Sequence, residues 1–100
     1  LASRIAYGDP VTAEVLERVE RAELSLHSNG FTNCRVRAHA NGTVARIEVP
    51  ADEMNALLDQ RQAILSGIRG AGFLFCTVDL AGLRSGSMNL LLASEPARPS

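Results

Sequence analysis

Arginine and histidine recur at alternate positions around a single Asn-Gly pair. Arg35, Arg37 and His39 precede Asn41-Gly42, and Arg46 and Glu48 follow it. Asn-Gly between alternating apolar residues is a strong signal for a β-hairpin. A two-residue turn pairs Ala40 with Thr43, His39 with Val44, Ala38 with Ala45, Arg37 with Arg46, Val36 with Ile47, Arg35 with Glu48 and Cys34 with Val49. Cys34, Val36, Ala38, Ala45, Ile47 and Val49 then share one wholly apolar face, and a slip of one residue would destroy that agreement. The other face carries Arg35, Arg37, His39, Val44, Arg46 and Glu48. Like charges set directly opposite each other repel, so Arg37 and Arg46 require an acidic partner or a bound anion between them. Glu48 opposite Arg35 offsets one charge, and Asp79 or Thr77 on a later strand can reach the same side. The face is either a solvated surface of weak ion pairs or a site for phosphate or carboxylate, which guanidinium groups bind in a fork. On the second reading, changing Arg37 or Arg46 to alanine abolishes anion binding and raises the stability of the empty domain.

A second cluster, Arg84-Ser85-Gly86-Ser87, offers small residues with free backbone N–H groups beside an arginine. It is either an anion cradle or a plain turn. His39 has the chemistry of a general acid or base near neutral pH, or is an ordinary surface histidine. Glu23 is a lone acid whose simplest role is a solvent-facing charge. Cys34 and Cys76 fall on apolar surfaces, where thiols are inert. Two cysteines without a spacing motif make neither a disulfide framework nor a zinc site. The sequence therefore singles out no catalytic residue and no metal ligand, and a reducing cytoplasm is the default compartment.

These groups need elements to position them. The chain has 100 residues, 46% hydrophobic and 21% charged, which suits one globular domain rather than a disordered segment. No apolar run is long enough for a membrane-spanning helix. A net charge of −1 and 4% aromatic residues argue against nucleic acid as a partner. All ten basic residues are arginine. The first residue is Leu1, which suggests a piece of something longer.

Residues 1–10 read as an extended lead-in ending at Asp9-Pro10. Residues 12–29 read as a helix, with Thr12 as N-cap, a stripe of Val15, Leu16, Val19, Ala22 and Leu26, and Asn29-Gly30 as its stop. The hairpin covers 33–39 and 43–49. A second, continuous helix is expected over 51–70, burying Met54, Leu57, Leu58, Ile64, Leu65 and Ile68. Residues 73–80 are a third strand, apolar on both sides and so expected in a central or covered position. Residues 94–100 read as a disordered tail. The fold class is α+β: helix–strand–strand–helix–strand, a small three-stranded mixed sheet with two helices on one face, half of a ferredoxin-like fold. A right-handed crossover makes strand 3 parallel to strand 2, and strand 3 most simply pairs with strand 1, in the order 2-1-3.

Three blocks, LASRIAYGDPVT, CRVRAH with VARIEVP, and GFLFCTVDLAGLRSGSMN, occur in that order over roughly residues 1–90. Together they resemble the C-terminal domain of LarE-type proteins, ATP-dependent sacrificial sulfur transferases of the PP-loop ATP pyrophosphatase superfamily. The resemblance implies an N-terminal PP-loop domain that uses ATP and magnesium to adenylylate a carboxylate of a pyridinium mononucleotide. Sulfur is then delivered on the way to the nickel-pincer cofactor of lactate racemase. The family's donor cysteine commonly stands just before the LASR block; neither Cys34 nor Cys76 matches it. By position, Arg4, Glu23, Arg35, Arg37 and Arg46 match polar residues near the substrate phosphate, and Arg84, Ser85 and Ser87 match the terminal motif. The resemblance further implies a homo-oligomer, a hexamer in the family, and an anionic mononucleotide substrate. This chain carries no PP-loop, so it is expected to be a substrate-binding and assembly domain over 1–93 that holds no cofactor and is inactive alone. The alternative is a free-standing ferredoxin-like module that binds a small anion or self-associates.

Overall fold

The computed structural model describes residues 4–83. The element order is α1 (Ala13–Ser28), β1 (Arg35–His39), β2 (Val44–Glu48), α2 (Met54–Asp59), α3 (Arg61–Gly70) and β3 (Phe75–Val78), with a 3-10 turn at Ala51–Glu53 before α2. This is the expected α+β arrangement of a three-stranded mixed sheet and helices. Helix α1 begins where the Thr12 hydroxyl accepts from the Val15 N–H at 3.1 Å, which satisfies one of the donors that a helix start leaves open. It ends at Asn29 and Gly30, whose φ of +99° is the left-handed stop. Val15, Val19, Ala22 and Leu26 are buried, and Leu16 packs partly against them.

The hairpin register is the expected one: Arg35 with Glu48, Val36 with Ile47, Arg37 with Arg46, Ala38 with Ala45 and His39 with Val44. The turn is more strained than a simple Asn-Gly loop, because Ala40, Asn41 and Gly42 all take positive φ. Val36, Ala38, Ala45, Ile47 and Val49 are fully buried against α1 and α3. The opposite face of the sheet is left to the arginines.

Four expectations are corrected. The second helix is broken at Gln60, whose φ of −105° and ψ of 26° close α2 and open α3. The apolar stripe lapses there: one turn beyond Leu57 the chain offers only Gln60 and Arg61, so no core contact holds that turn in line. Leu58, assigned to the buried stripe, is 52% exposed. The sheet order is β1-β2-β3 rather than 2-1-3. Strand β3 is parallel to β2, as expected, but lies directly beside it. The outer edge of β1 is already taken, because Ile5 bridges to Ala38 in parallel and the Ala6 N–H donates to the Ala38 carbonyl at 2.9 Å. Among the described residues β3 is therefore at the edge of the sheet, with Phe75 60% exposed, and not the covered strand its composition suggested. The 94–100 tail and the Arg84–Ser87 cluster lie outside the described residues.

Candidate anion-binding site

The polar face of the hairpin and the lead-in that runs beside β1 enclose an open cleft of about 320 Å³. One wall is Arg37, His39, Arg46 and Glu48; the other is Arg4, Ile5, Ala6 and Tyr7. Three arginines and a histidine thus line the cleft with one carboxylate, Glu48.

The repulsion between the opposed arginines is resolved by carboxylates. Glu48 divides its two oxygens between them: Arg37 Nη2 donates to Oε1 at 3.3 Å, and Arg46 Nη1 donates to Oε2 at 2.8 Å. Arg46 Nη1 also donates to Asp79 Oδ2. That second partner arrives because β3 runs beside β2, which brings Asp79 across from the end of the hairpin. Arg46 Nε donates to His39 Nε2 at 3.2 Å. An accepting Nε2 carries no hydrogen, so the imidazole proton belongs on Nδ1. Among the described residues, these contacts engage Arg46 through Nε and Nη1 and not through Nη2. The Thr77 hydroxyl, an alternative partner in the sequence reading, donates to the Ala45 carbonyl at 3.0 Å instead.

The other predicted site residues divide. Arg4 lines the cleft but is also tied to α1, with Nε donating to Glu23 Oε2 at 3.0 Å. Glu23 is not in the cleft. The same oxygen accepts the Val36 N–H at 2.9 Å, so Glu23 pins the lead-in and the start of β1 to α1 rather than facing solvent. Arg35 is exposed and does not meet Glu48, contrary to the expected offset; its Nη1 donates to the Cys34 carbonyl at 3.1 Å. Arg84, Ser85 and Ser87 lie outside the described residues. Sequence reasoning missed Ile5, Ala6 and Tyr7, which form a whole wall. The available signal was Gly8-Asp9-Pro10, turn chemistry that holds the segment in place.

Both cysteines are unpaired. Burial, and then the charge of Glu23, push the Cys34 thiol up to about 11. Burial also raises the Cys76 thiol, against a smaller opposing effect of Arg69. Neither is an activated nucleophile. Among the described residues no group of three His, Cys, Asp or Glu side chains is placed to hold a metal ion. No helix among them is long and apolar enough to cross a membrane.

No family model matches the chain. It is 37% identical over 89 residues, 89% of its length, to the pyridinium-3,5-bisthiocarboxylic acid mononucleotide synthase of Lactiplantibacillus plantarum. The chain is a relative of that synthase. It is also 37% identical over 94 residues, 92% of its length, to a protein of Synechocystis named only as uncharacterized. The chain spans about a third of both relatives, 32% of the synthase and 34% of the Synechocystis protein. The resemblance drawn from the sequence blocks is thus supported as a partial relationship.

Proposed function

We propose that this chain is the substrate-binding and assembly part of an ATP-dependent sulfur transferase that makes a thiocarboxylate on a pyridinium mononucleotide, on the route to a nickel-pincer cofactor. The observation that carries the reading is the cleft, where Arg4, Arg37, Arg46 and His39 converge. An anionic phosphate is what such a wall binds: guanidinium forks match its geometry, and a partly enclosed site strengthens each contact. The relative named as a synthase of a pyridinium mononucleotide supports the substrate class. The chain's own residues bind and orient. Glu48 and Asp79 hold Arg46 in place, and His39 fixes its Nε edge. No Gly-rich phosphate loop occurs among the described residues, so the ATP and magnesium of the implied enzyme find no fit among them.

The exposed edge of β3, with Phe75 at its start, is the natural surface for subunit contact in a homo-oligomer. Unpaired cysteines suit a reducing cytoplasm.

Calorimetric titration with ribose 5-phosphate tests the reading. The wild-type chain is expected to bind it, and Arg37→Ala and Arg46→Lys to weaken binding at least tenfold. The chain alone is expected not to turn ATP over to AMP and pyrophosphate. Tight binding of an amino acid with indifference to phosphate would favour the free-standing module instead.

A further inference from the structure

The lead-in wall of the cleft ends in an aromatic ring that folding does not explain. Phe31 and Phe73 are 4% and 2% exposed, whereas Tyr7 is 106% exposed and yet lines the cleft. Its backbone is held firmly. The Asp9 N–H donates to the Ala6 carbonyl at 3.0 Å, closing a turn with Tyr7 and Gly8 at its corners. Gly8 has a φ of +94°, the geometry that the third position of a type II turn requires. The Ala6 N–H is bonded to the Ala38 carbonyl at 2.9 Å, and the Asp9 carboxylate accepts the Asn41 N–H at 3.1 Å. The turn is therefore clamped to β1 on one side and to the hairpin loop on the other. A clamped turn that holds a tyrosine out in water at the mouth of an arginine-lined cleft is preorganised for a ligand. A tyrosine has only two side-chain torsions to fix on binding.

We propose that Tyr7 is the stacking platform of the cleft and takes the flat, electron-poor ring of a mononucleotide whose phosphate lies against Arg37 and Arg46. This rests on the anion-site reading above. The face of a phenol ring is negative, so it attracts a cationic ring more than a neutral one. A pyridinium mononucleotide combines both halves of the match: an anionic phosphate for the arginines and a cationic heteroaromatic ring for Tyr7. The phosphate alone would use only the first half.

The chain has one tyrosine and no tryptophan, so its intrinsic fluorescence reports on Tyr7 alone. The experiment titrates the 100-residue chain with nicotinamide mononucleotide, its reduced dihydropyridine form and ribose 5-phosphate, reading affinity by calorimetry and contact by tyrosine quenching. Nicotinamide mononucleotide is expected to bind about tenfold more tightly than ribose 5-phosphate, in line with one stacked ring. The reduced form should fall between them, and only the ring-bearing ligands should quench. Tyr7→Ala should erase the difference without changing ribose 5-phosphate affinity or the melting temperature, and Tyr7→Phe should keep it. If Tyr7→Ala leaves nicotinamide mononucleotide affinity unchanged, or Tyr7→Phe loses the preference, stacking on Tyr7 is wrong and the anion site stands. If none of the three phosphate ligands binds, both readings fail.

Discussion

Glu48 decides what the opposed arginines are worth. With its side chain only 11% exposed, it bonds Arg37 through one oxygen and Arg46 through the other. From the sequence alone, deleting one arginine removes a repulsion and should stabilise the empty domain. The structure reverses the sign. Arg46→Ala strips Glu48 and Asp79 of a charged donor and His39 of its partner, which is expected to cost about 1–3 kcal/mol. Urea unfolding of the variant measures it, and an unchanged or higher midpoint would return the pair to the repulsive reading. Cys34 gives a second test. Its thiol stands at about 11 in the fold against 9.0 when free. The raised value means that the folded state keeps its proton after the unfolded chain has lost it. The thiol's contribution to stability is therefore intact below pH 9 and lost as pH rises toward 11. Over that window wild-type stability is expected to fall more steeply with pH than that of Cys34→Ala. Equal slopes would show that the thiol titrates as freely as in the unfolded chain. The arginine positions and their register were legible in the sequence because side chains alternate across a strand. Their partners were not, because Asp79 reaches Arg46 only through the choice of strand neighbour.

Helices α1 and α3 meet at a point that only a glycine permits. A Cβ on Gly67 would stand 1.8 Å from Ser25 Oγ and 3.0 Å from Ser25 Cβ. In an exposed helix Gly→Ala gains about 1 kcal/mol, but here the clash is expected to outweigh that gain and leave Gly67→Ala less stable by about 1–2 kcal/mol. Ser25→Gly costs α1 some helix propensity of its own, but on that background Gly67→Ala should no longer destabilise, so thermal melts of both singles and the double should show strong coupling. Additive effects would mean the helices do not touch there. The same scale shows where periodicity misleads. The stripe from Leu57 to Ile68 fits one helix, yet Gln60 and Arg61 give that helix nothing to pack, and the chain breaks between α2 and α3. The apolar run at 73–80 looks doubly buried, yet β3 lies at the edge. Its neighbour was decided by the lead-in, which fills the free edge of β1 and leaves β2 as the open strand. A lead-in without helical or strand periodicity carried that decision through Ile5 and Ala6, so hydrophobic pattern gave no warning of it.

Across the whole molecule the two faces of the sheet do different work. Helices α1 and α3 bury one face and supply the core. Among the described residues no helix covers the other face; the lead-in runs along its margin and forms a cleft with the half-buried Arg37 and Arg46 of the hairpin. That asymmetry leaves the proposed binding face outside the core. The measurement that bears most directly on the function proposed here is a backbone amide spectrum of the 100-residue chain titrated with ribose 5-phosphate. Shifts confined to Ile5, Ala6, Tyr7, Arg37, His39 and Arg46, saturating together, are the expected result. Shifts centred on α2, α3 and β3, or none at saturating ligand, would contradict an anion site on this face.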